Sequence, residues 1–239
     1  MTALVLQARL DSTRLKRKCM LPLGGRPLIL RVMEAFRFFS CDAKILACPE
    51  DSGGEFAPLA EEAGFTLVCG PGDDVLARYC LAIRRSGADR IIRATGDNPF
   101  VFTDAAAALD REAVALAADY SGYSGLPHGA GVESVLSEAL LRAEKEARSQ
   151  TEREHVCPYL YGHPEFFRLH RPLAPRKWQG PDLRVTVDTR EDYERALVLY
   201  DNLCSLPPEE RNHGERIIGA SGRIAAGSGD GAALPQTSR

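Results

Sequence analysis

Short unbroken apolar runs alternate along the chain with longer stretches in which apolar residues recur every three or four positions. The runs at 3–7 (ALVLQ), 44–48 (KILAC), 65–69 (FTLVC) and 90–95 (RIIRAT) predict buried parallel strands, because strands covered on both faces need no polar side. Between them, 27–39, 55–63 and 74–85 carry helical spacing. Pro27 suits a first helical turn, and Asp73 or Asp74 can cap the third helix. This alternation predicts an α/β fold, a three-layer, doubly wound, mostly parallel sheet with ligands at the carboxyl ends of its strands.

The rhythm changes after Pro99. The alanine-rich stretch 103–117 reads as a helix with Thr103 as N-cap, and the Gly-rich SGYSGLPHGAG that follows reads as loop. Helices are predicted at 137–147, 152–161 and 190–204, the last opened by a T-x-x-D capping box from Thr189 to Asp192. Strands are predicted at 166–171 and 183–187. The Gly/Ser-rich end predicts a disordered tail over 220–239, leaving one domain over 1–219 with a smaller arm at 120–175.

Length and composition narrow the class. A chain of 239 residues with 44% hydrophobic and 26% charged residues is an ordinary globular protein. A formal net charge of −3 argues against non-specific nucleic-acid binding. No stretch approaches the apolar length of a membrane span, and the start lacks the basic and apolar regions of a signal peptide. Seven scattered cysteines without a C-x-x-C pair favour reduced thiols and a cytoplasmic location over disulfides or structural zinc.

Against that balance, LQARLDSTRLKRKCMLPLGG at 6–25 concentrates Arg9, Arg14, Lys16, Arg17 and Lys18 just behind the first strand. Neither G-x-x-x-x-G-K-[ST] nor G-x-G-x-x-G follows that strand, so a conventional P-loop or dinucleotide site is not predicted. Backbone N–H groups and full positive charges in one loop can instead cradle a polyanion such as a triphosphate. From composition alone the loop could equally be a solvated surface, but its place at the carboxyl end of a strand favours a site. Asp97 and Asp188 both follow predicted strands and could meet across one crevice. Their hard oxygens would suit Mg²⁺, while either alone would also serve at a helix N-terminus.

The motif A-x-R-x-x-S-x-R-L-x-x-K, formed by Ala8, Arg9, Ser12, Arg14, Leu15 and Lys18, resembles the N-terminal signature of the cytidylyltransferases. That superfamily includes the acylneuraminate and 3-deoxy-manno-octulosonate enzymes, and the likeness is to its spore-coat polysaccharide biosynthesis protein F branch in particular. It continues through LPLGGRPL, GPGDDVLARY at 70–79, TGDNP at 95–99, EREHVCPY at 152–159 and LRVTVDTRED at 183–192. The resemblance implies a nucleotide-diphospho-sugar transferase-like fold and CTP-dependent transfer of CMP to a sugar, sugar acid or related small acceptor, with pyrophosphate released, for cell-surface polysaccharide synthesis. It implies catalytic roles for Arg9, Lys18, Asp97 and Asp188, with Asp97 and Asp188 holding Mg²⁺ or Mn²⁺. Nucleotide contacts fall on Leu6, Ala8, Arg9, Ser12, Arg14, Lys18, Gly70, Asp74, Thr95 and Gly96. Acceptor contacts fall on Glu133, His155 and Arg184, and a homodimer is expected through the arm.

Three positions depart from the pattern. Lys16 replaces a proline of the signature. Cys69 stands where an arginine associated with base recognition is common. His128 and Gly131 stand where the acceptor motif D-G-L-D-V-E has aspartates, although Glu133 is kept. A nucleotidyltransferase for another nucleoside triphosphate, or a non-catalytic nucleotide-binding protein, therefore stays open as an alternative.

Overall fold

The predicted apolar runs form four neighbouring strands of one seven-stranded sheet in the computed structural model, which describes residues 1–227. In chain order the elements are β1 (Thr2–Gln7), the two-residue hairpin strands β2 (Pro22–Leu23) and β3 (Arg26–Pro27), α1 (Leu28–Ala35), β4 (Ala43–Pro49), α2 (Gly53–Ala63), β5 (Thr66–Gly70), α3 (Val75–Ser86) and β6 (Arg90–Thr95). Then follow α4 (Thr103–Ala115), β7 (Tyr120–Ser121), β8 (Glu133–Leu136), α5 (Ser137–Glu146), α6 (Gln150–His155), α7 (Pro158–Gly162), β9 (Leu169–His170), α8 (Arg190–Leu203) and α9 (Gly214–Gly227). The sheet order is β5-β4-β1-β6-β8-β7-β9. β5, β4, β1 and β6 run parallel, whereas β8 is antiparallel to both β6 and β7.

Side-chain alternation along β1 sorts the core into two layers. Leu4 and Leu6 face one side, with residues of α1, α2, α4, α8 and α9. Ala3 and Val5 face the other, with residues of α3, α5 and α7. Burial on both faces accounts for the unbroken apolar runs of the sequence. Asp74 caps α3 by accepting from the Ala77 amide at 2.9 Å, and Thr189 and Asp192 form the expected capping box of α8.

Several expected boundaries are corrected. Thr103 does not cap α4: Phe102 holds that place, and the Thr103 hydroxyl donates to the Asn212 carbonyl at 3.1 Å. The helix expected over 152–161 is two, α6 and α7, separated where Val156 takes a positive φ of 74°. The expected strand at 166–171 shrinks to β9. The segment 183–187 makes no ladder, only a single bridge between Arg184 and His128. Its alternation of buried valines suits a strand, yet its neighbours are loops. Within 120–175, the region of the expected arm, β7, β8 and β9 continue the main sheet. Of the expected tail, 220–227 complete α9, and 228–239 lie outside the described residues. No helix among the described residues is long and apolar enough to cross a membrane.

Candidate active site

Three chain segments converge beyond the carboxyl ends of β1 and β6. The first is the basic loop after β1, which closes in a short helical turn starting at Lys18. The second is the turn after β6, held by a Gly96 amide donating to the Gln7 carbonyl at 2.7 Å. A Cβ at Gly96 would lie 2.9 Å from the Ala8 side chain, so only glycine lets this turn sit on the end of β1. The third is the extended stretch before α8, where Val187 donates to the Asp97 carbonyl at 2.9 Å. This last bond joins segments ninety residues apart in sequence and sets the two aspartates side by side.

At the meeting point the Lys18 ammonium donates to Asp97 at 2.6 Å and to Asp188 at 2.7 Å. Arg14 lies 3.1 Å from the same Asp188 oxygen, and Arg184 donates to its other oxygen at 2.8 Å. Burial by itself would lower the Lys18 pKa, but Asp97 and Asp188 outweigh it and hold the ammonium above its usual range. Burial would likewise raise Asp188, yet Lys18, Arg14 and Arg184 hold its carboxyl below the ordinary value. Asp192 fixes the remainder: it accepts the Asp188 and Thr189 amides at 3.0 and 3.1 Å and pairs with Arg184.

These shifts give opposite pH limbs. Stabilisation from the depressed Asp188 is complete above about pH 4 and is lost as pH falls through its folded value. The raised Lys18 contributes fully below about pH 10.5 and loses its share as pH rises through its folded value. Urea unfolding across the pH range should show both declines, and Asp188→Asn should flatten the acid one.

A cavity of about 410 Å³ opens over this centre. Ala8, Arg9, Ser12, Arg14, Lys18, Thr95, Gly96, Asp97, His155 and Asp188 all line it. The other expected residues do not. Leu6 is fully buried in the core. Gly70 ends the edge strand β5, and Asp74 is taken up by the α3 cap and by Arg153 at 3.4 Å. Arg184 stands behind Asp188, tying it to Asp192.

Glu133 is also outside the cavity. It pairs with the largely buried Arg93 guanidinium and accepts from the Tyr120 hydroxyl at 2.7 Å, so Arg93 rather than Glu133 lines the cavity. Removing the acid would leave a buried cation uncompensated, a loss of about 3–5 kcal/mol. Glu133→Ala should therefore lower the Tm by on the order of 10 °C in a thermal melt. An unchanged Tm would place Glu133 in ligand binding alone.

Sequence reasoning passed over Gln7, Arg78, Arg93, Asn98 and Glu154, which also line the cavity, as does His128, marked in the sequence as a departure from the acceptor motif. Among the described residues, Gln7 Oε1, Arg78 Nε, Arg93 Nε and Asn98 Oδ1 are buried polar atoms without a partner in the protein. Orphaned polar atoms gathered at one cavity suit a polar ligand. Arg78 also donates to the Gly72 carbonyl at 2.7 Å and to that of Pro71, bracing the loop before α3. A charged residue within the strand RIIRAT was a legible signal for Arg93; the burial of Arg78 had none. Cys69 is turned away, with its sulfur 3.7 Å from that of Cys48. The departure at His128 has a local setting: the Gly129 φ is +94°, and a Cβ there would lie 2.6 Å from the Thr186 amide nitrogen.

The donor set fits a divalent cation that brings its own remaining ligands. Asp97 and Asp188 already focus on one positive charge, and no cluster of three acidic, His or Cys ligands occurs among the described residues. Two carboxylates completed by waters and substrate phosphates are characteristic of Mg²⁺ and unlike a closed structural site.

Fold and sequence together define a nucleotidyltransferase, an enzyme of group transfer from nucleoside triphosphates. The chain belongs to the cytidylyltransferase family, whose model matches residues 3–217. It is 31% identical over 211 residues to spore coat polysaccharide biosynthesis protein SpsF of Bacillus subtilis (strain 168), covering 85% of this chain and 88% of that protein. Among solved structures, a cytidylyltransferase from Leptospira borgpetersenii serovar Hardjo-bovis (strain JB197) aligns with a TM-score of 0.86 at 22% identity, over 98% of this chain and 99% of that one. A CMP:2-keto-3-deoxy-manno-octonic acid synthetase complexed with CTP aligns at 0.65 and 15% identity, over 84% of this chain and 98% of that one. These structural likenesses establish the shared fold.

Proposed function

We propose that the chain couples CMP from CTP to a sugar, sugar acid or related small acceptor, releasing pyrophosphate, in cell-surface polysaccharide synthesis. The observation that carries this reading is the convergence of Lys18, Asp97 and Asp188 at 2.6–2.7 Å beneath the basic loop. In this reading Arg9, Arg14 and Lys18 take the phosphates as charge builds on the leaving pyrophosphate. Asp97 and Asp188 would hold Mg²⁺, or Mn²⁺ in its place, and such an ion would supply charge neutralisation at the phosphates and a lowered pKa for an acceptor hydroxyl. Ser12 and the Thr95–Gly96 turn complete the nucleotide contacts lining the cavity. His155, at the end of α6, faces the acceptor, and Arg93 lines the same cavity.

The reading includes a cytoplasmic homodimer joined through residues of the 120–175 region. The base is supported by the family membership and by the likeness to a CTP-bound synthetase, since Cys69 itself lies off the cavity. Calorimetric titration with CTP, UTP, GTP and ATP in the presence of Mg²⁺ tests it. CTP should bind most tightly, and tighter binding of UTP or GTP would overturn the base assignment.

A further inference from the structure

The cations expected to hold a triphosphate already have partners in this structure. Lys18 sits between Asp97 and Asp188 with its side chain only 12% exposed, and Arg14 reaches the same Asp188 oxygen. Both come from the loop after β1, while the two acids belong to the proposed metal site. Arg184 adds a third positive charge on Asp188 and is anchored by Asp192. Three cations thus surround two carboxylates: both oxygens of Asp188 and one oxygen of Asp97 are in contact with positive charge.

We infer that Lys18, assisted by Arg14, is a resident counter-cation that keeps the metal carboxylates of the nucleotide-free enzyme occupied and releases them only when a triphosphate takes up the two side chains. The inference rests on the proposed metal-dependent reading. A divalent ion arriving alone meets a site already neutralised and must push the Lys18 ammonium off both oxygens with no new partner for it. Leaving an ammonium desolvated and unpaired is strongly unfavourable. A triphosphate changes the balance: its several negative charges receive Lys18 and Arg14, and Asp97 and Asp188 become free together. Nucleotide and metal are then coupled through one side chain, and by linkage each strengthens the other's binding equally. Arg184, held by Asp192, does not take part in the exchange and keeps Asp188 oriented in both states. Loss of the Lys18 charge should convert the pair into a metal site that needs no nucleotide.

The test is Mn²⁺ binding to the full chain without nucleotide, read by calorimetry and by loss of the free-ion electron paramagnetic resonance signal. Wild-type protein should bind weakly. Lys18→Met should bind at least about tenfold more tightly, within the usual range of site-to-site coupling, and adding Asp97→Asn to it should remove the gain. Arg14→Met, a change at a largely exposed side chain that does not threaten folding, should show a smaller gain. Lys16→Met removes an equal charge from the same loop away from the acids, and should bind like wild type. A folded Lys18→Met with wild-type Mn²⁺ affinity overturns the inference, as does a Lys16→Met gain equal to that of Lys18→Met. Tight Mn²⁺ binding by the wild type alone does so as well. Failure of the underlying reading is separable: it would appear as wild-type turnover of CTP that persists in a chelator. Should turnover need Mg²⁺ while Lys18→Met gains no Mn²⁺ affinity, only the counter-cation role falls.

Discussion

Asp188→Asn is expected to reduce turnover of CTP by at least a few hundredfold while leaving the fold intact. Asparagine keeps the size of the side chain and its contact with the Arg184 fork, so packing around a residue only 9% exposed should survive. What goes is one full negative charge at the point where Lys18, Arg14 and Arg184 meet. In the proposed mechanism that charge also supplies one of two protein ligands to the metal. Loss of a single preorganised electrostatic contact of this kind commonly costs about 2.7–4 kcal/mol in the barrier, or roughly 10²–10³ in kcat. Pyrophosphate release, measured with a responsive acceptor, reads the effect. Asp97→Asn should behave alike, and a wild-type rate in either variant would exclude the pair as metal ligands. A matching circular dichroism spectrum separates lost chemistry from lost structure.

Lys18→Met should be the second large effect, with an opposite signature. Its ammonium is the link between the basic loop and both aspartates. Methionine replaces the stem with an apolar chain of similar length but brings no charge to a triphosphate. With one charged donor gone from the phosphate cradle, kcat/KM for CTP should fall on the order of a hundredfold or more. The same variant should gain affinity for the bare metal ion, which a general loss of structure could not produce. Asp188→Asn should show no such gain, because it removes a ligand where Lys18→Met removes a competitor. Parallel measurement of kcat/KM and metal affinity in the two variants distinguishes these roles.

The parallel half of the sheet was legible because β1, β4 and β6 are largely buried on both faces and, with the edge strand β5, print as short apolar runs. The second half was less so. β8 is four residues long and antiparallel, too short to carry a period. Segment 183–187 reads as a strand from its valines, but its hydrogen bonds go to His128 and Asp97 rather than to a neighbouring strand. At the site, ordered motifs picked out the basic loop and both aspartates: the loop and Asp97 follow strands, and Asp188 follows the extended segment 183–187. Glu133 shows the limit of that reasoning. The sequence shows an acid kept in a motif, but not the buried arginine on the adjacent strand that takes its charge. Arg78 was invisible for a related reason: a helix interior arginine reads as solvent-facing, and only the fold turns it inward.

The central claim, metal-dependent transfer of CMP, is tested most directly with CTP labelled at the α-phosphate. The full chain, Mg²⁺ and a panel of acidic sugars and of phosphorylated or phosphonylated small molecules would be incubated together and the products separated. The account predicts that label passes to at least one acceptor with an equal amount of pyrophosphate released, and that a chelator stops both. Tight binding of CTP with no labelled conjugate from any acceptor, or label transfer that continues in the chelator, would contradict it.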